Sequence, residues 1–148
     1  MSARLAYVNI LARDIESLSR FYADVFEFTE IESHRSPIYR CLNANGLELG
    51  FNAPLAYELL NIAPPDETHS GVSTYITFEM DSEDALESAL QRATALGARV
   101  LKPPYDTYYN ARQCVLEDPE SNVFRLNHRR GPRQSADSLS NPPWSGKL

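Results

Sequence analysis

The stretch "LAYVNILARDIESLSRFYADVFEF" (5–28) decides how the chain is organised. Its first part, 5–12, is a short apolar run of the kind that forms a buried strand. Asp14 then stands where a helix N-cap belongs, and Ile15, Leu18, Phe21, Tyr22 and Val25 recur at spacings of three and four. That spacing predicts an amphipathic helix over 14–28. Three strands are expected next, over 28–34, 37–43 and 46–52, punctuated by Pro37 and the "NANG" turn (43–46).

The second half repeats this order. "VSTYITFEM" (72–80) reads as a strand, and "DSEDALESALQRATALG" (81–97) as a helix with an acidic first turn and a closing glycine. Strands are expected over 98–102, 111–117 and 122–128. Tyr75 follows Tyr7 by 68 positions (75 − 7), and the expected cap Asp81 follows Asp14 by 67 (81 − 14). The chain therefore reads as α+β: two tandem β-α-β-β-β modules forming open half-barrel sheets around a cleft, with helices outside. The expected boundaries are one domain over 1–128 and a tail over 129–148. Within the domain, module one spans 4–52, a connection 53–71 and module two 72–128.

Strand alternation sorts the side chains. Val8 and Ile10 should pack under the first helix, which leaves Tyr7 and Asn9 facing the cleft. Ile76 and Phe78 should pack likewise, leaving Tyr75 and Thr77. "NGLELGF" (45–51) turns Glu48 and Gly50 inward, and "EDPESNVFRLNH" (117–128) turns Val123, Arg125 and Asn127 inward. Two short apolar strands thus carry opposite charges at their centres. Glu48 and Arg125 are expected either to compensate one another or to meet a polar ligand, since an isolated buried charge is costly.

The phrases "YVNILARDIESLSRFYADVFEF" (7–28), "NGLELGFNAP" (45–54), "YITFEMDS" (75–82) and "YNARQCVLEDPESNVFRL" (109–126) carry a resemblance to the vicinal oxygen chelate superfamily. That group includes glyoxalase I, extradiol dioxygenases, fosfomycin-resistance enzymes and bleomycin-resistance proteins. Its metal-dependent members place His, Glu or Gln ligands at positions that correspond here to Tyr7, Glu48, Tyr75 and Arg125. Only Glu48 is a good ligand. A neutral phenol is a poor donor, and a guanidinium has no lone pair to give and repels a cation. The resemblance, with these departures, implies a divergent member with no metal at those positions and no cofactor.

Composition narrows the partners. The net charge of −6 argues against nucleic acid, although Arg129, Arg130 and Arg133 form a small basic cluster. No apolar run reaches the ~18 residues of a membrane span, and no leader-like stretch opens the chain, so a cytoplasmic protein is expected. Cys41 and Cys114 suit no disulfide framework or metal-ligand spacing and are read as packed thiols. His34, His69 and His128 are scattered; His34 falls near the cleft rim.

Tyrosine is enriched, with eight copies. Tyr22 and Tyr57 are read as packing residues, while Tyr7, Tyr75 and Tyr109 suit a pocket for planar ligands. Tyr105 and Tyr108 are placed with Tyr109 in a loop before the seventh strand. The expected ligand-binding set is Tyr7, Asn9, Glu48, Tyr75, Thr77, Tyr109, Arg125 and Asn127. The expected function is metal-independent binding of a small planar or cationic organic molecule, as in bleomycin-resistance-type proteins. The alternative is a lyase, isomerase or dioxygenase with altered or relocated active-site residues. A homodimer is expected, and Trp144 in the polar tail is an anchor type.

Overall fold

A computed structural model describes residues 2–66, 71–132 and 135–147; His69 and Arg133 fall outside them. The chain divides into two compact units, Met1–Ser73 and Thr74–Leu148.

The first unit contains β1 (Tyr7–Leu11), α1 (Ile15–Phe26), β2 (Thr29–Glu30), β3 (Tyr39–Asn43), β4 (Glu48–Asn52) and a short α2 (Leu55–Leu59). Its sheet runs β1-β4-β3-β2, with β1 parallel to β4 and the remaining pairs antiparallel. Asp14 caps α1 by accepting from the Ser17 backbone N–H at 3.0 Å. Leu18, Tyr22 and Val25 of α1 are buried, as are Leu42, Leu49 and Phe51 of the sheet. Each such side chain contributes on the order of 1.5–3 kcal/mol by leaving water. Tyr22 is core, as its spacing implied, and stacks at a tilt on Phe51 with ring centroids 5.5 Å apart.

The second unit repeats the plan with β5 (Ile76–Glu79), α3 (Glu83–Ala95), β6 (Arg99–Asp106), β7 (Ala111–Glu117) and β8 (Val123–Arg129), in the order β5-β8-β7-β6. Leu86, Ala89 and Ala93 of α3 are buried, as are Leu116, Phe124 and Leu126 of the sheet. Both sheets are mixed and open, and the fold is α+β with two tandem modules. Among the described residues no helix is long and apolar enough to cross a membrane.

Four expected boundaries move. The cap of α3 is Ser82, not Asp81, because the Ser82 hydroxyl accepts from Ala85 N at 3.0 Å. The strand expected over 28–34 stops at Glu30. The Ile31 amide makes the last ladder bond, to Cys41 O at 2.8 Å, and Glu32–His34 coils into a 3₁₀ turn as Arg35 folds back on Glu30. The strand expected over 72–80 begins only at Ile76, so Tyr75 precedes it. Finally, β6 runs through Pro103 and Pro104 to Asp106, which puts Tyr105 in a strand rather than a loop. Missing proline N–H groups are tolerated because β6 is an edge strand, and a register shift between Lys102 and Tyr105 spans the prolines.

Candidate functional site

In the second unit, ladder pairs Thr77↔Arg125 and Glu79↔Asn127 put these four side chains on the sheet face opposite α3, beside Gln113 and Tyr105 of β7 and β6. Arg125 is held from three sides. Its Nε donates to Thr77 Oγ1 at 3.0 Å, its Nη1 to the Tyr109 hydroxyl at 3.4 Å, and its guanidinium carbon lies 5.1 Å from the Tyr75 ring centre. The expected residues Tyr75, Thr77, Tyr109 and Arg125 therefore do come together.

Arginine only donates, so it fixes the direction of the chain behind it. Tyr109 Oη accepts from Arg125 and donates to Gln113 Oε1 at 2.5 Å; the Gln113 amide in turn donates to Tyr105 Oη. Asn127 is buried, and its Nδ2 donates to Glu79 Oε2 at 2.6 Å. Its Oδ1 is buried with no partner among the described residues. Turning the amide over would set that oxygen against the Glu79 carboxylate, so the acceptor stays orphaned as drawn. Gln113 and Glu79 escaped the sequence reading, and Tyr105, read as part of a loop, stands outside the expected set. Gln113 had a usable signal, since it alternates with buried Cys114 in β7.

In the first unit the corresponding face carries Tyr7 opposite Glu48, Asn9 opposite Gly50, and Tyr39 and Cys41 from β3. Asn9 is engaged laterally, its Oδ1 accepting from Asn52 Nδ2 at 3.1 Å. Tyr39, absent from the expected set, lies over Gly50: a Cβ there would sit 2.5 Å from its hydroxyl. Burial pushes the Tyr39 phenol well above its usual range, with a hydrogen bond to Cys41 adding to it, and burial raises the Cys41 thiol as well. The Cys41 sulfur lies 3.8 Å from Glu48 Oε2. A groove of about 210 Å³ opens beside Glu48, with Tyr7, Ile31 and Asn43 among its walls. Tyr7 and Tyr75 are each about half exposed, at 50% and 52%.

The sequence profile of the glyoxalase/bleomycin resistance protein/dioxygenase superfamily matches residues 4–126. The chain belongs to that superfamily. Members of known structure agree with it. A family enzyme from Burkholderia phytofirmans PsJN is 48% identical, with a TM-score of 0.80 over 85% of this chain and 98% of its own. A glyoxalase-related enzyme from Fulvimarina pelagi is 19% identical, with a TM-score of 0.75 over 94% and 98%. The fosfomycin resistance protein FosX from Mesorhizobium loti is 17% identical, with a TM-score of 0.64 over 86% and 93%. These last two show the shared fold. No curated protein matches the chain.

The ion used by metal-dependent superfamily members does not fit the residues at the corresponding positions. The second unit supplies a phenol, Tyr75, a poor donor, and the Arg125 guanidinium 5.1 Å from its ring centre, which has no lone pair to give a cation. The first unit supplies Tyr7 and one carboxylate, Glu48. Transition-metal sites need about three good donors.

Proposed function

We propose that the protein binds a small planar organic molecule through aromatic and hydrogen-bonding side chains, without an ion held by the superfamily's full set of ligand positions. The observation that carries this reading is the setting of Arg125. Thr77, Tyr109 and the Tyr75 ring hold the guanidinium in place, while no described residue engages its Nη2. A planar ligand bearing a carboxylate or enolate suits such a preorganised fork. The orphaned Asn127 Oδ1 offers an acceptor on the same face for a ligand N–H or O–H. A cationic group suits the first unit instead, where Glu48 borders the groove.

Catalysis is a second reading, and Tyr109 favours it: one hydroxyl hydrogen-bonded to both Arg125 and Gln113 is placed to pass a proton.

A thermal-shift screen of chelator-treated protein against aromatic carboxylates and their uncharged amides tests the proposal. Carboxylates should raise the Tm more than the amides. Arg125→Ala should weaken carboxylate binding by about thirtyfold, the equivalent of ~2 kcal/mol for a charged hydrogen bond, while leaving the unliganded Tm little changed. Stabilisation that appears only after a divalent metal is restored, or that survives Arg125→Ala, would overturn it.

A further inference from the structure

His34, Cys41 and Glu48 are seven residues apart in sequence (41 − 34 and 48 − 41) and lie on three different segments of the first unit. The antiparallel pairs Cys41↔Gly50 and Asn43↔Glu48 put Cys41 and Glu48 on one face of β3 and β4, in diagonal positions. The 3₁₀ turn Glu32–His34 doubles back over that face, anchored by the Ile31-to-Cys41 backbone bond of 2.8 Å. A ring nitrogen of His34, the Cys41 sulfur and a carboxylate oxygen of Glu48 all lie within 4.8 Å of one another.

We propose that these three residues form a binding site for a zinc-type divalent cation. The proposal goes beyond the small-molecule reading and does not depend on it. Neither His34 nor Cys41 lies at the superfamily's ligand positions, so the site is displaced, sharing only Glu48.

The geometry and the donor chemistry agree. Bonds of about 2.0–2.3 Å to a tetrahedral ion set its ligand atoms roughly 3.3–3.8 Å apart. The Cys41–Glu48 separation of 3.8 Å already meets that, and the exposed His34 has only to close by about 1 Å. Sulfur, imidazole and carboxylate together favour zinc or cobalt over magnesium or calcium. On binding, the Cys41 thiol releases its proton to solvent as the metal–sulfur bond forms, and thiolate plus carboxylate then balance the ion's two charges. Gly50, beside Cys41 in the ladder, puts no side chain in the way. Three protein donors leave a fourth position for water or for an oxygen of a small molecule.

Cobalt(II) titration of the chelator-stripped full chain provides the test. One equivalent should bind and give a thiolate-to-cobalt charge-transfer band, and zinc should displace it. Cys41→Ser should abolish the band. His34→Ala, at an exposed position where folding is not at risk, should weaken cobalt binding at least tenfold, as should Glu48→Gln. Absence of a charge-transfer band in the wild-type protein would overturn the proposal. So would affinity unchanged in His34→Ala or Glu48→Gln. Either result leaves the Arg125-dependent ligand screen untouched, so the two proposals fail separately.

Discussion

Gly50→Ala tests whether the open face of the first sheet is shaped around the Tyr39 phenol. Gly50 does not have a positive φ, so an alanine meets no backbone strain there, and on intrinsic grounds it should gain about 0.5–1 kcal/mol. Packing says the opposite. The new Cβ would stand 2.5 Å from Asn9 Oδ1, 2.5 Å from Tyr39 Oη and 2.9 Å from Tyr39 Cε1. Normal contacts require each neighbour to retreat by about 1 Å; the exposed Asn9 can swing away, but the half-buried Tyr39 ring is stiff, and such crowding typically costs about 1–3 kcal/mol. Displacing Asn9 also threatens its 3.1 Å bond with Asn52, worth roughly 1 kcal/mol. The net expectation is a loss of about 2 kcal/mol, or a Tm lower by roughly 6 °C for a chain of this size. Thermal and urea unfolding of Gly50→Ala, Asn9→Ala and the double variant should show the double variant recovering at least about 0.5 kcal/mol relative to additivity. A Gly50→Ala protein as stable as wild type would refute the packing argument, since the intrinsic gain would then have prevailed.

Asp118→Ala should cost about 2–4 kcal/mol in chemical denaturation. It removes the carboxylate oxygen that accepts from Glu120 N at 2.8 Å and Asn122 N at 3.0 Å in a turn where Asp118 is buried. Trp144→Ala should lower stability by about 1 kcal/mol and loosen the tail, because its ring meets Tyr108 edge-on at 5.3 Å; hydrogen exchange around residues 107–110 reads this. Hydrogen bonds from Arg130 and then Arg112 hold the Asp106 carboxyl below its ordinary 3.8. A depressed carboxylate pKa stabilises above the unfolded value and loses that contribution as pH falls through the folded one. Arg130→Ala should therefore flatten the Tm-versus-pH curve below about pH 4 and leave its shape near neutrality unchanged.

Alternation made the two faces of each sheet legible, because Val8, Ile10, Ile76 and Phe78 each flank polar residues in strands too regular to slip register. What stayed hidden needs partners from elsewhere in the chain. Nothing local distinguishes Ser82 from Asp81 as a cap; only the reach of the hydroxyl to Ala85 N decides it. Pro103 and Pro104 read as a loop until their edge-strand position is known. Cys41 reads as a packed thiol from spacing alone, since its neighbours His34 and Glu48 arrive by a turn and a hairpin. Tyr39 gave no signal, because its place above Gly50 is set by the register of β3 on β4.

Glu48 and Arg125 look like counterparts in sequence, each a charge in the middle of an apolar strand, yet the ladders pair them differently. Arg125 stands opposite Thr77 as Gly50 stands opposite Asn9, so the slot that must be empty in one half carries the guanidinium in the other. In a duplicated architecture every such slot exists in two copies. A substitution that vacates one copy leaves its twin free to acquire a new function, and the backbone is indifferent to which. Bringing a guanidinium into the first unit would therefore take more than one replacement, because Tyr39 and Asn9 already fill the space that a side chain at position 50 needs.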